Sequence, residues 1–112
     1  MKLVRTELLP EMGVSHNPAI KKKVFLEKGE IPQLMNFGTA VFKSEQRVET
    51  HSHPSMFEIF YVLEGRIEFV VENEQMVLRA GDCISISPKE AHSQYNPFHE
   101  EAKLLYYGIA VD

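Results

Sequence analysis

The stretch "HSHPSMFEIFYVLEG", residues 51–65, places two histidines one residue apart, ahead of a proline, a glutamate and an apolar run that ends at a glycine. Side chains alternate across a strand, so His51 and His53 on one strand share a face, with Cα atoms ~7 Å apart. Imidazoles at that separation can converge on one metal ion. A His-x-His pair also occurs on polar surface loops, so the pair alone leaves both interpretations open.

Glu58 is a carboxylate at the head of the apolar run "EIFYVL". Pro54 interrupts strand pairing and starts a turn, so Glu58 opens the next strand. If that strand pairs with the histidine strand, Glu58 points inward beside the imidazoles, where a metal ion offsets the cost of burying its charge. The alternative is an exposed strand end, with the carboxylate of Glu58 facing water.

A further histidine lies in "GDCISISPKEAHSQYN", residues 81–96. Pro88 ends one short strand, and His92 leads into the next. A β-barrel can bring His92 opposite the first three side chains. Three imidazoles and one carboxylate form a mixed nitrogen and oxygen ligand set that suits manganese, iron, nickel, copper or zinc. An octahedral ion held by four such ligands keeps about two positions open for water, oxygen or substrate.

The chain is strand-like from about Val24 onward. Apolar and polar residues alternate over short runs separated by glycine, asparagine and proline, which predicts an antiparallel sandwich or barrel. Residues 66–81, "RIEFVVENEQMVLRAG", are typical of a hairpin in which Ile67, Phe69 and Val71 share one face and Glu-Asn-Glu forms the turn.

The first part of the chain is different, because prolines and a glycine interrupt it before any long element can form. We interpret residues 1–23 as an arm that lies over the barrel or over a neighbouring chain. The prediction is therefore a single domain over residues 1–112, with the arm at 1–23 and an all-β barrel at 24–112.

Composition limits the class of protein. The 112 residues are 44% hydrophobic and 25% charged, which is ordinary for one globular domain. The net charge of −4 disfavours nucleic acid and anionic membranes as partners. We accordingly interpret the lysine run at 21–23 as a solvated strand edge rather than a nucleic-acid site.

Cysteine usage and hydropathy bear on location. The lone Cys83 cannot form an internal disulfide, and its apolar strand-like surroundings predict a buried side chain. The segment "MKLVRTELLPEMG" lacks the continuous apolar run of a signal peptide, and no stretch reaches the ~20 apolar residues that span a bilayer. We expect a cytoplasmic protein.

Two motifs in these residues resemble those of the cupins, small β-barrels of the jelly-roll type. The first cupin motif runs His-x-His, three or four residues, Glu, six residues and Gly, and the matching residues are His51, His53, Glu58 and Gly65. The second motif begins with Gly and continues with His and Asn, matched by Gly81, His92 and Asn96. The resemblance implies an antiparallel jelly-roll barrel of the small single-domain kind found in bacteria.

The resemblance also implies a metal site. In cupins, the two histidines and glutamate of the first motif and the histidine of the second bind one divalent transition metal ion, which here gives His51, His53, Glu58 and His92. Manganese or iron is favoured, with nickel, copper or zinc as alternatives. In some cupins the glutamate can also leave the ion and act as a catalytic base, which makes Glu58 the candidate catalytic residue.

Three turn positions depart from the cupin motifs. Glu45 replaces a glycine, Pro88 is displaced by one residue, and Glu90 replaces an inner glycine. These departures concern loop conformation and leave the ligand spacing intact.

Several other side chains are candidates for the pocket. We predict that Phe42, Phe60 and Gln94 line it, with the two aromatic rings as an apolar wall. Asn96 shares the phase of His92 and Gln94, and either lines the pocket or satisfies backbone groups at the barrel mouth. His16 and His99 lie among turn residues and are interpreted as surface histidines.

The strand that begins at Glu58 is apolar on both faces. Phe60 and Val62 follow the inward phase, so Ile59, Tyr61 and Leu63 form an outward apolar stripe that the arm or a second barrel must cover. Cupins commonly pair through such sheets, so the resemblance implies a homodimer.

Two functional hypotheses remain open. The first is a dioxygenase-like or related metal enzyme that oxygenates, isomerises or cleaves a small organic molecule. The second is a binding module that holds a small ligand as a sensor or carrier around a structural metal ion. A third, weaker hypothesis is a partner-binding subunit with a vestigial site. The fold alone does not choose among them.

Overall fold

Residues 1–111, which the computed structural model describes, fold into ten β-strands and one turn of 3-10 helix at Thr6–Leu8, with no α-helix. Asp112, the last residue of the predicted barrel, lies outside this part. The strands are β1 Met12–Val14, β2 Asn17–Leu26, β3 Leu34–Phe42, β4 Arg47–His51, β5 Met56–Glu64, β6 Arg66–Val71, β7 Glu74–Arg79, β8 Cys83–Ile86, β9 His92–Tyr95 and β10 Ala102–Ala110. No helix within the described residues is long and apolar enough to cross a membrane.

The strands form two antiparallel sheets. The larger has six strands in the order β1-β2-β3-β10-β5-β8, and the smaller has four in the order β4-β9-β6-β7. Neighbouring strands such as β3 and β10 are distant in the chain, as in a jelly roll. The predicted all-β antiparallel jelly roll is confirmed. Within the described residues no strand pair joins the sheets, so they form an open-sided sandwich rather than one closed hydrogen-bonded barrel.

The core lies between the two sheets. Phe60 and Val62 of β5 are buried, whereas Tyr61 and Leu63 are 38% and 39% exposed, as the predicted alternation requires. From the smaller sheet, Ile67 and Phe69 have no exposed surface. Burial of each such side chain contributes about 1.5–3 kcal/mol.

The predicted hairpin is formed by β6 and β7. Glu72 and Asn73 connect the strands, and their φ values are 47° and 67°. Two positive φ values in a two-residue loop are typical of a type I′ turn, whose twist matches that of paired strands. Glu74 opens β7, so its predicted place in the turn is wrong.

The N-terminal segment differs from the predicted arm. β1 and β2 pair as a hairpin on the larger sheet, so regular structure begins inside the range 1–23. Pro18 does not prevent this, because it lies where the register between β1 and β2 shifts and its missing N–H removes no ladder hydrogen bond. Gly13 allows close approach, since a Cβ there would lie 2.8 Å from the carbonyl oxygen of Pro18.

Cys83 is exposed, and the prediction of a buried thiol is wrong. β8 is an edge strand of the larger sheet, and its alternation places Ile84 and Ile86 toward the core. Cys83 and Ser85 consequently occupy the outer face.

Candidate metal centre

The four side chains predicted as metal ligands lie close together between the two sheets. His51, the last residue of β4, pairs with His92, the first residue of β9. The ligand atoms of His51, His53, Glu58 and His92 all lie within 4.8 Å of one another. Ligand atoms at about 2.0–2.2 Å from one ion can be no more than about 4.4 Å apart, so the observed span is close to that limit. The group can hold a metal ion.

Glu58 reaches this cluster from the opposite sheet. β5 pairs with β8 and β10, so the pairing with the histidine strand, which the sequence left open, does not form. The phase of β5 still turns Glu58 inward, and its side chain is only 13% exposed. Of the two positions considered for Glu58, the structure shows the inward one and not the exposed strand end.

His53 was predicted on the same strand as His51, but it lies just beyond the end of β4. Pro54 follows it and cannot donate to a ladder hydrogen bond, so pairing ends before this point. The ring of His53 nevertheless remains near that of His51, with ring centroids 5.0 Å apart. The turn keeps His53 beside the cluster without the regular strand geometry.

Backbone carbonyl groups orient two of the imidazoles. Nδ1 of His51 lies 2.8 Å from the carbonyl oxygen of Glu49, and Nδ1 of His92 lies 2.9 Å from that of Glu90. A carbonyl oxygen only accepts, so each Nδ1 carries the hydrogen. Each Nε2 is therefore available for a metal ion, the usual arrangement when the second ring nitrogen of a ligating histidine is bonded to the backbone.

The contact between His92 and Glu58 requires a proton or a metal cation between the two atoms. Nε2 of His92 lies 3.0 Å from Oε1 of Glu58, and a neutral ring with its hydrogen on Nδ1 would present a lone pair to that oxygen. A proton on Nε2 or a metal cation removes the conflict. Nε2 of His53 is buried without a hydrogen-bond partner, although it lies 3.4 Å from the same oxygen. These donors fit a divalent transition metal ion.

The charges of the cluster shift its pKa values. Burial, the largest effect, would raise the pKa of Glu58, but the hydrogen bond with His92 and the nearby imidazoles together hold it below its ordinary value. Burial also opposes the charged form of His92, yet its bonds to Glu58 and the Glu90 carbonyl raise its pKa. Burial lowers the pKa of His51, helped by the neighbouring histidines. The carboxylate is thus held ionised.

His16 lies at this site, although the sequence placed it simply at the surface. It is exposed in the turn between β1 and β2, and its ring stacks on that of His51 with centroids 4.0 Å apart and planes 26° apart. The ring centroid of His92 also lies close to that of His51, at 4.4 Å. His51 is therefore packed against two other imidazoles. His99, outside the motifs, is exposed as predicted.

A cavity of about 120 Å³ opens onto His51, His53 and Glu58. The predicted pocket residues Phe42, Phe60 and Gln94 all lie in its wall. Other polar residues of the wall include Tyr106, Lys22 and Asn36, and the sequence analysis had not placed Lys22 or Asn36 there. The signal for Lys22 was its phase, because it shares the inward face of β2 with the buried Ile20.

Asn96 does not line this cavity. Its side chain is fully buried, and Nδ2 donates to the carbonyl oxygens of Phe42 and Glu100. The backbone N–H of Phe98 donates to Oδ1 of Asn96. Of the two roles left open by the sequence, the structure selects the satisfaction of backbone groups.

Residues 38–108 match the family model described as the cupin domain. The chain belongs to the cupin family. Among curated proteins, the polyketide synthase CurC of Streptomyces cyaneus is 33% identical to this cupin over 70 residues, which are 62% of this chain and 46% of the relative. The chain spans less than half the length of the curated relatives that it matches.

Solved cupin structures share the fold at low identity. A protein of Thermotoga maritima, described as a predicted oxalate decarboxylase, has a TM-score of 0.89 at 22% identity, over 97% of this cupin and 99% of that chain. A sugar phosphate isomerase of the cupin superfamily from Silicibacter pomeroyi has a TM-score of 0.81 at 14% identity, over 96% and 75%. At these identities the likeness concerns the fold.

Proposed function

We propose that this cupin is a metal-dependent enzyme that acts on a small organic molecule by oxygenation, isomerisation or lyase-type cleavage. The observation that carries the proposal is that three of the four ligating side chains form part of a cavity wall. A structural metal site is closed by protein ligands, whereas a catalytic site keeps a position open to substrate. We propose one divalent ion per chain, with manganese or iron favoured.

The residues around the cavity have separable roles. Phe42 and Phe60 exclude water from one wall, which strengthens electrostatic interactions inside. Glu58, held ionised among the imidazoles, is the group placed to accept a proton from a substrate. A bound ion would supply Lewis-acid or redox chemistry.

The solved structures with this fold lend support to a small substrate. Two of them are described as a predicted oxalate decarboxylase and a sugar phosphate isomerase, and both descriptions refer to small, oxygen-rich molecules. This support rests on likeness of fold alone, so the substrate of this chain must come from its own cavity.

Turnover by the metal-loaded protein tests the proposal. We expect oxygen uptake, or new product signals by NMR, with at least one member of a panel of phenols, keto acids, hydroxy acids and thiols. Glu58→Gln should reduce that rate by about 10²–10⁴-fold, because the amide cannot accept the proton. Glu64→Gln is the matched control, since Glu64 lies exposed at the other end of β5.

Two results would overturn the enzyme proposal. Full activity of Glu58→Gln would remove Glu58 from the reaction. Metal-replete protein that binds members of the panel but converts none would show that the binding or sensor module is the correct alternative.

We further propose a cytoplasmic homodimer that binds neither nucleic acid nor membrane. The outer face of β5 supports the homodimer, because Phe57, Tyr61 and Leu63 are each more than one third exposed there. The exposed free thiol of Cys83 supports a reducing compartment. The net charge of −4 supports the exclusion of polyanionic partners.

A further inference from the structure

Lys22 points into the cavity, unlike the lysines on either side of it. It pairs across the ladder with Ala40, whose side chain is buried on the inward face of β3. The ammonium groups of Lys21 and Lys23 instead donate to backbone carbonyls outside the cavity. Lys22 lines the cavity wall, and within residues 1–111 it forms no hydrogen bond or ion pair. An ammonium group there favours an anionic ligand.

Tyr106 presents an unused hydroxyl group to the same cavity. The residue is 7% exposed, and its Oη is buried with no hydrogen-bond partner. A buried hydroxyl is costly when unpaired, and a ligand that accepts its hydrogen bond removes that cost. Burial, together with the charge of Glu58, raises the pKa of Tyr106 to about 12, so the hydroxyl keeps its proton near neutral pH and can donate it.

Asn36 supplies a hydrogen-bond acceptor, whereas Lys22 and Tyr106 supply donors. Its Oδ1 is buried without a partner, and the residue lies in the cavity wall. Asn36 and Glu58 are both paired with Gly108 of β10, one from each side. Gly108 has no side chain, and the side chain of Met56 packs over it, next to Oδ1 of Asn36. A ligand in the cavity can donate a hydroxyl hydrogen to Oδ1 of Asn36.

We propose that Lys22, Tyr106 and Asn36 form a recognition subsite for a small hydroxy acid. Lys22 and Tyr106 donate hydrogen bonds to its carboxylate, and Asn36 accepts one from its hydroxyl group. The three residues come from β2, β10 and β3 of the larger sheet. The inference rests on the proposed metal-dependent function, because it identifies the substrate class for that cavity.

The size of the cavity agrees with this class. Its volume is about 120 Å³. A cavity of about 150 Å³ holds a molecule the size of benzene, so a hydroxy acid with three or four carbon atoms is of the right size. Larger acids and polymers are too large to be fully buried in this cavity.

Calorimetric titration of the metal-loaded protein tests the subsite, with L- and D-lactate and glycolate as probes and lactamide as the neutral analogue. We expect a hydroxy acid to bind at least about tenfold more tightly than lactamide, since hydrogen bonds from an ammonium group are strong only to an anion. Lys22→Met should weaken hydroxy acid binding by about tenfold or more, and Tyr106→Phe by a smaller factor. Lys21→Met is the matched control and should bind as the wild type does.

Two more variants separate recognition from folding. Lys22→Arg keeps the charge and should retain most of the affinity that Lys22→Met loses. Asn36→Leu should remove the preference for lactate over pyruvate, which lacks the hydroxyl group. A structural role for Lys22 or Asn36 would not produce these ligand-dependent differences.

Failure of the subsite can be distinguished from failure of the metal site. Metal content is measured for every sample, and the titrations are repeated on metal-free protein. Metal-replete wild type that binds no hydroxy acid, or binds it equally well after Lys22→Met, would overturn the subsite alone. A chain that retains no metal but binds lactate through Lys22 would overturn the proposed function and leave the subsite standing.

Discussion

His51 and His92 each donate an Nδ1 hydrogen to the backbone carbonyl two residues earlier in the chain. The same short-range contact occurs on two strands that pair with each other, so one backbone feature sets both tautomers. The imidazoles then meet the carboxylate of Glu58 from the facing sheet with their Nε2 atoms unused by the backbone. A proton or a cation is needed at this point, and in the metal-free protein the raised pKa of His92, due to Glu58 and the Glu90 carbonyl, favours a proton there.

We predict that the two histidines titrate on opposite sides of the ordinary histidine value of ~6.5 in the metal-free protein. His92 should titrate above it, because Glu58 and the Glu90 carbonyl stabilise the imidazolium. His51 should titrate below it, because burial and neighbouring imidazoles oppose its charge. NMR titration of the ring resonances measures both midpoints. Equal midpoints, or the reverse order, would contradict the assigned contacts.

These shifts have opposite effects on stability. The raised pKa of His92 adds stability to the metal-free fold below its unfolded value, and that stability is lost as the pH rises through the folded value. The lowered pKa of His51 reduces stability as the pH falls below its unfolded value. For the metal-loaded protein, protons compete with the ion, so metal affinity should fall as the pH drops below about 6.5.

The His-x-His pair and the carboxylate at the head of an apolar run made metal ligands a hypothesis, and the resemblance to the two cupin motifs implied the full set of four. Lys22 was misread with its two neighbours, since a run of three lysines hides the fact that strand alternation turns the middle one inward. His16 is at the surface as predicted, but its contact with His51 was not foreseen. The distance between His16 and His51 depends on how β1 and β2 pair, and the local sequence did not predict that pairing.

Single elements vary in how far the sequence predicts them. The β6–β7 hairpin is predictable because strand alternation and a two-residue turn are both local. The position of β5 is not, since it pairs with β8 and β10 through contacts between distant parts of the chain. The hairpin of β1 and β2 was hidden by Pro18, whose tolerance depends on a register shift that only the partner strand creates.

The turn before β4 contains one of the departures from the cupin motif. Glu45 replaces a glycine of that motif and adopts a φ of 70°. A non-glycine residue in the left-handed region costs about 1–2 kcal/mol, and a glycine costs about 0.5–1 kcal/mol through unfolded-state entropy. We expect Glu45→Gly to raise the free energy of unfolding by about 0.5–1 kcal/mol, the difference of these effects.

Urea unfolding of the metal-free protein measures this change. Glu45→Ala is the matched control, because it removes the carboxylate but keeps the Cβ, and it should give no such gain. A Glu45→Gly variant that is less stable than the wild type would show that the left-handed conformation is not the dominant cost at this turn.

The whole molecule exposes an apolar face on its larger sheet. Phe57, Tyr61 and Leu63 of β5 lie there, and β10 adds Tyr107, whose ring packs edge-on against Phe37 of β3. A contiguous apolar sheet face is unusual on a monomer and is readily covered by a second copy about a two-fold axis. The alternating pattern of β5 made this face predictable, whereas the hairpin β1–β2 extends the sheet instead of covering it.

We predict that the protein is a dimer by light scattering after gel filtration. Tyr61→Lys together with Leu63→Lys should shift it to the monomer mass, because buried ammonium groups without partners are costly. Val77→Lys on the exposed face of β7 is the control and should remain dimeric. A wild type that stays monomeric at high concentration would contradict the proposed homodimer.

The central proposal is that side chains from both sheets hold a single ion between them. Elemental analysis of protein loaded with manganese, iron or zinc and then desalted tests it most directly. We predict about one ion per chain for the wild type and for His99→Ala, whose ring is exposed, and at least about tenfold less for the double variant His51→Ala with His92→Ala. Full metal occupancy in the double variant, or none in the wild type with any of these metals, would contradict the claim.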